Sequence, residues 1–399
     1  HYDTLDNISA KILMIKPTSI ASISRTRTRE MLILSESDVR RCFPVSAAIA
    51  ANRKALASLR KDGDGGAKVP TRIGLPYHAS GGSSGSSSSA ADWTLFKPAA
   101  YYPPRGKPME NAESSDRKEE EVLMGMKLIS IRSNNPKLNK PMVPGTVMLV
   151  HAETGIVSAI VAATYLTAAR TAAGSAIATE AAMANHPSGK DAFTLVVFGA
   201  GLQAEMHIKA IKHVVNVNKI VIVNRTLERA ENLKNDLLKN NSDGVVESAK
   251  TLSPVTDIST RLLSDDVGVC NALKDADIIA TTTNACNPLF PGEWPKQGCH
   301  INGVGSYTPL MSEVDDELVK RCEVIIDTKE ALEVGDLSCM KGDDAHQNCI
   351  GLIGDIISGD LVVGKRRDDP NESKIDCTFY KSVGTAIQDV FSAQAAYEY

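Results

Sequence analysis

TLVVFGAGLQAEMHIKAIKHVVNVNKIVIVNRT, residues 194–226, decides the fold. Its apolar run at 195–198 has the length of a strand buried on both faces. Gly199, Gly201 and Ala204 follow as GxGxxA, directly ahead of a helical pattern and a second apolar run, KIVIV. Glycine at the first two positions permits a tight turn and close approach of a pyrophosphate to the backbone, while Ala204 lets helix and sheet pack closely. The helix start adds N–H donors and a partial positive charge. In this order the elements predict a Rossmann dinucleotide site built on Gly199, Ala200, Gly201, Leu202 and Gln203.

The second strand closes on Asn224, where an NAD-specific site usually offers a carboxylate to the ribose hydroxyls. An acid would repel the 2′-phosphate of NADP. Arg225 would pair with it, Thr226 would add a hydroxyl, and Arg229 stands one helical turn further on. The expected cofactor is NADP(H).

Upstream, residues 158–185 are a lean run of Ala, Thr and Ser with good helix propensity, which lets neighbouring backbones come close. Downstream, strands are expected at 276–281, 299–303 and 324–327, so the pattern is α/β with a mostly parallel sheet. MLILSESDVRRCF, from Met31, predicts a short strand and a capped helix. Further strands are expected at 70–75, 122–131 and 146–150. The last segment, FYKSVGTAIQDVFSAQAAYEY, reads as a turn into an amphipathic helix that folds back on the first domain. The expected plan is an extension at 1–30, a discontinuous α+β domain at 31–175 plus 376–399, and the Rossmann domain at 185–360. The Gly/Ser-rich stretch 79–91 and the polar stretch 105–121 read as surface loops.

The chain has 399 residues, 43% hydrophobic and 23% charged, and a net charge of −4. That length suits two domains, and the charge supports neither nucleic acid nor an anionic membrane as main partner. No apolar run reaches bilayer length. Eight cysteines lie scattered without a CxxC pair, which argues against a zinc site or a disulfide scaffold and fits a reducing, cytoplasmic compartment. Residues 10–29 carry basic residues and serines without acids, so mitochondrial import is the lesser alternative.

VPTRIGL, MGMKLIS, YLTAARTAAGSAIA, VVFGAGLQAEMHIKAI, VNRT, TTTNACNPLF and KSVGTAIQD together resemble the ornithine cyclodeaminase and mu-crystallin family, over most of the chain from Met31. The resemblance implies a homodimer, with the dinucleotide lying between the two domains. It also implies a substrate carboxylate held by Arg72, Lys127 and Arg170, with Thr146 as a further substrate-side position. Chemistry agrees with it: Arg170 sits in an Ala/Thr helix, where a guanidinium is costly unless an anion pairs with it, and Lys127 stands in an apolar strand. On the cofactor side it points to Thr171, Thr282, Thr283, Val304, Ser382 and Gly384. His207 reads as structural.

One segment departs from the pattern. Where the cyclodeaminases carry a catalytic aspartate in Gly-x-Asp-x-Pro, this chain reads Gly305-Ser306-Tyr307-Thr308-Pro309. A phenol of ordinary pKa about 10 is no carboxylate base near neutrality. Asp315, Asp316 and Glu313 read as exposed residues at a helix start. Reduction of a small cyclic imino acid by NADPH, with Lys127 and Tyr307 as candidate catalytic groups, is therefore favoured over cyclodeamination of ornithine or lysine. A cofactor-binding protein without efficient chemistry is the third reading.

Overall fold

The structure is a computed structural model that describes residues 31–60, 66–77, 92–104, 121–184, 186, 189–242, 257–340, 348–364 and 376–399. The expectations for 1–30, 79–91 and 105–120 lie outside these residues. Residues Met31–Tyr399 belong to one compact unit that holds two sheets.

Its first half contains β1 (Leu32–Leu34), α1 (Glu36–Cys42), α2 (Val45–Ala57), β2 (Ala67–Lys68), β3 (Ile73–Tyr77), β4 (Asp92–Tyr101), β5 (Leu123–Ile131), β6 (Gly145–Val150), β7 (Val157–Ala162) and α3 (Thr164–Ala184). Ser35 caps α1 as its Ser-x-Ser-Asp entry predicts. The strands form a seven-stranded sheet in the order β1-β7-β6-β5-β4-β2, with β3 on β4. All pairs are antiparallel except β1 with β7. The expected helix over 158–185 is corrected at its start: Ser158 to Ala162 lie in β7, where β-branched Ile160 and Val161 pair with β6, and the helix begins at Thr164.

The second half contains β8 (Phe193–Phe198), α4 (Leu202–Val214), β9 (Val217–Asn224), α5 (Leu227–Ser242), β10 (Asp257–Leu262), α6 (Asp266–Asp275), β11 (Ile278–Thr281), β12 (His300–Gly303), α7 (Asp316–Lys320), β13 (Cys322–Ile326), β14 (Cys349–Leu352), α8 (Ile353–Ile357), β15 (Cys377–Lys381) and α9 (Ala386–Glu398). Its eight strands run parallel in the order β10-β9-β8-β11-β12-β15-β13-β14. Strand order reverses between β8 and β11, and an open α/β sheet places its ligand at the carboxyl ends flanking such a switch. Leu195 and Val197 join one core cluster and Val196 and Phe198 the other, which is why the run is apolar throughout.

Residues 377–381, expected to lie with the first domain, form the strand β15 between β12 and β13. The chain returns to the first sheet only after that strand, where α9 packs on β4, β5 and β6. Helix α3 is buried over most of its length, and its small side chains bring α2, α4 and α9 against it. No helix among the described residues is long and apolar enough to cross a membrane.

Candidate active site

The glycine turn has the geometry its sequence predicts. Gly199 has φ +111°, and a Cβ there would stand 2.7 Å from Thr282 Oγ1 at the end of β11. Gly201 opens α4 as its N-cap, with no side chain capping the helix, and a Cβ there would meet only open space. Uncapped N–H groups beside open space fit a pyrophosphate. Beyond Gly201 lies a depression of about 250 Å³ whose walls include Ala200, Leu202, Arg229 and Asp236. Arg225 and Thr226 are exposed after β9, and Asn224 Nδ2 donates to the Thr226 carbonyl across that corner.

Several expected cofactor hydroxyls are turned to internal partners. Thr282 Oγ1 donates to the Phe198 carbonyl at 2.8 Å, and Thr171 Oγ1 to the Thr167 carbonyl one turn back. The Thr283 hydroxyl and N–H donate to Glu313 Oε1, and the Ser382 hydroxyl to Asp327 Oδ2. Buried Val304 follows β12 and donates its N–H to the Thr281 carbonyl. Gln203 gives its carbonyl to His207 Nδ1, whose Nε2 meets Ser175 on α3. Burial pulls that imidazole down to about 4, so His207 is a neutral strut between α3 and α4.

Lys127 and Arg170 are brought together, around an acid the sequence reading passed over. Lys127 Nζ and Arg170 Nε both lie 2.9 Å from Asp389 Oδ1 in the first turn of α9. A third cation, Lys97 on β4, stands 3.9 Å from Asp389 Oδ2 and donates to the Gly384 carbonyl at 3.0 Å. Burial alone would raise the Asp389 carboxyl, but Lys127, Arg170 and Lys97 outweigh it and hold it at about 2. Burial depresses both lysines against that carboxylate, Lys97 to about 8 and Lys127 to about 7.

Arg72 joins Lys97 in lining a cavity of about 510 Å³, together with Asp327, Glu330 and Gly384. Gly384 adopts φ +75°, and a Cβ on it would collide with the Arg170 guanidinium, so glycine lets the turn lie directly on that cation. Asp327 Oδ2 accepts from the Ser382 hydroxyl and the N–H groups of Val383 and Gly384, fixing the turn. Thr146 is not part of this cluster. It pairs with Leu128, one register step from the Lys127–Val147 pair, and so shares the opposite face of the sheet.

Glu313 is fully buried rather than exposed. It accepts from Thr283 and from Gly305 N–H, while its own N–H donates to Asp336, which pairs with buried Lys381 at 2.7 Å. Burial, and then Asp336, push the Glu313 carboxyl up. This network pins the loop that carries Tyr307, whose phenol burial also pushes up, further from any role as a base. Asp315 is the N-cap of α7 and accepts from Leu318 N–H. Among the described residues no group of three or more His, Cys, Asp or Glu is placed to hold a metal.

Comparison with known proteins agrees with this architecture. The profile of the ornithine cyclodeaminase/mu-crystallin family matches residues 112–399. A Delta(1)-pyrroline-2-carboxylate reductase of Bacillus cereus is 32% identical over 285 residues, 69% of this chain and 77% of that protein. The ketimine reductase mu-crystallin of Mus musculus is 30% identical over 278 residues, 68% of this chain and 74% of that protein. A solved structure of Thermococcus litoralis Delta(1)-pyrroline-2-carboxylate reductase, in complex with NADH and L-proline, superposes with a TM-score of 0.71 at 24% identity, covering 92% of this chain and 97% of that one.

Proposed function

Because this chain belongs to the ornithine cyclodeaminase/mu-crystallin family, we propose that it reduces a small cyclic imino acid, such as pyrroline-2-carboxylate or piperideine-2-carboxylate, to the cyclic amino acid with NADPH. The observation that carries this reading is the group of three buried cations, Lys97, Lys127 and Arg170, sharing the single carboxylate of Asp389. Desolvated positive charge in excess of its partners is a site for an anion. A substrate carboxylate beside Arg72 and Lys97 meets that requirement, with Lys127 and Arg170 behind it. The cofactor, when bound, supplies a hydride to the imine carbon. The chain's own residues hold the carboxylate, set the turn at Ser382–Gly384 through Asp327, and supply a proton for nitrogen.

Preference for the 2′-phosphate is supported by Asn224 standing where an acid would repel it, by exposed Arg225 directly after β9, and by Arg229 in the depression beside the glycine turn. The domain plan consistent with these parts is a discontinuous substrate domain ending in α9 and a Rossmann domain that includes β15. Tyr307 in the aspartate's place disfavours cyclodeamination, which needs a base for water or amine. The test is steady-state oxidation of NADPH and of NADH with both imino acids, with ammonia followed from ornithine and lysine. NADPH is expected to be consumed one for one with imine, faster than NADH and without ammonia release. Ammonia release with no net NADPH consumption would establish cyclodeamination instead, and tight NADPH binding with no imine turnover a binding protein.

A homodimer is part of the same proposal. Among the described residues the face of the first sheet opposite Lys127 is largely apolar and uncovered, with Ile73 61% exposed, Leu75 53% and Leu128 38%. An uncovered apolar sheet face of this kind marks an interface, and two-fold pairing is the commonest way to cover it. Sedimentation at micromolar concentration is expected to give twice the chain mass, and Leu128→Glu to shift the protein toward monomer. A parent protein that sediments as a monomer would exclude the dimer.

A further inference from the structure

Lys97 faces Lys127 directly across the β4–β5 ladder. Like charges in directly opposed positions destabilise a sheet, and here both ammonium groups are also buried, Lys97 at 7% exposure and Lys127 at 0%. Among the described residues Asp389 is the only carboxylate bonded to this pair. Within this cluster Arg170 makes a third buried cation and Asp327 a second buried carboxylate, an excess of one positive charge when all five groups are ionised. A second buried lysine opposite the first is electrostatically costly, and a bound anion would offset that cost.

The two lysines differ in what remains free. Lys127 Nζ is bonded to Asp389 and borders none of the described cavity, whereas Lys97 lines it beside Arg72. An ammonium has three N–H donors. One on Lys97 goes to the Gly384 carbonyl, and Asp389 Oδ2, at 3.9 Å, is too distant for a second hydrogen bond. That leaves two donors without a hydrogen bond among the described residues, on a side chain that lines the cavity with Arg72 and Gly384.

We propose that Lys97 is the proton donor of the reaction, delivering a proton from Nζ to the imine nitrogen as the hydride arrives. This rests on the imine-reductase reading above. The hydride adds to the imine carbon, the C=N π pair becomes a nitrogen lone pair, and that pair takes the Nζ proton. Lys97 is left as a neutral amine, still donating to Gly384, and recovers its proton from water in the cavity. Its charged neighbours are Asp389, Arg170, Lys127, Arg72 and Asp327, the cavity wall adds Arg60, Lys329, Glu330 and Glu333, and burial brings the ammonium down to about 8, within reach of the operating pH.

Lys97→Met and Lys97→Arg distinguish donation from charge. Arginine keeps the cation but does not release a proton near neutrality. Both variants are expected to lose about a hundredfold or more in kcat and to lose the fall in kcat/KM expected of the parent above about pH 8, with KM within about threefold in Lys97→Arg, which keeps the charge, and raised in Lys97→Met, which does not. Binding of pyrrole-2-carboxylate, a planar carboxylate that cannot be reduced, is followed by calorimetry and is expected to stay within about threefold of the parent in Lys97→Arg. Parental turnover in Lys97→Arg overturns the proposal and makes Lys97 a charge for the carboxylate. A parental pH profile in Lys97→Met overturns it outright. A parent that turns over no imine, whatever its variants do, removes the functional reading and this inference with it.

Discussion

Asp389→Asn is expected to destabilise the protein by roughly 3–5 kcal/mol, because it strands buried cations that now share one carboxylate. Side-chain volume barely changes, so packing is not at issue. Chemical denaturation of parent and variant at matched pH measures the difference. A loss below about 1 kcal/mol would mean that the cations are solvated or paired elsewhere, since an ordinary hydrogen bond contributes about that much.

The pH dependence of that loss separates charge from shape. In the parent, Asp389 at about 2 lies below its unfolded value, so its contribution is present above about pH 4 and is lost as pH falls toward 2. The two lysines act in the opposite sense. Held at about 8 and about 7 in the folded protein against about 10.4 unfolded, they cost stability at low pH. Between the folded and unfolded values the unfolded chain binds more protons, so stability rises with pH. Without the carboxylate their folded values drop further, and both deprotonate more readily. The gap between Asp389→Asn and parent should therefore be widest at pH 6 and narrow toward pH 9. A gap that stays constant over that range would show that Asp389 acts through Arg170, whose charge does not change there, and through hydrogen bonds, not through the lysines.

How far the sequence showed all this depends on the distance over which each residue acts. Strand β8, the glycine turn, α4 and β9 are contiguous, and their apolar periods and glycines carry their own geometry. Arg170 and Lys127 were visible as charges in apolar surroundings. Lys97 carried the same signal in LFKPAA, but Pro98 after it and the polar stretch before it hid the strand. Asp389 looked like an ordinary acid in a helix's first turn, and its partner Arg170 is 219 positions away. Glu313 was misread because only the return of the chain through β12 and β15 closes the network around it. Thr146 shows the penalty of a period of two: one register step carries a side chain to the other face.

Arg170→Met is the second substitution with a large expected effect, and it tests where the substrate lies. The guanidinium is tied to Asp389 by Nε, and its NH1 and NH2 ends lie against Gly384 at the cavity wall. If these ends help to hold the substrate carboxylate, methionine removes an ion-paired hydrogen bond from a desolvated site. An imine bearing the carboxylate should then lose about a hundredfold or more in kcat/KM. The ring without the carboxylate, 1-pyrroline, makes no such bond in the parent and should change by no more than about threefold, so the variant loses most of the parent's discrimination between the two. NADPH affinity should stay within a few fold, because the glycine turn at α4 contains neither Arg170 nor its partners. Equal losses for both imines would trace the defect to the Gly384 turn that Arg170 supports. Full carboxylate preference in Arg170→Met would show that Arg170 does not hold the carboxylate, leaving that to Arg72 and Lys97.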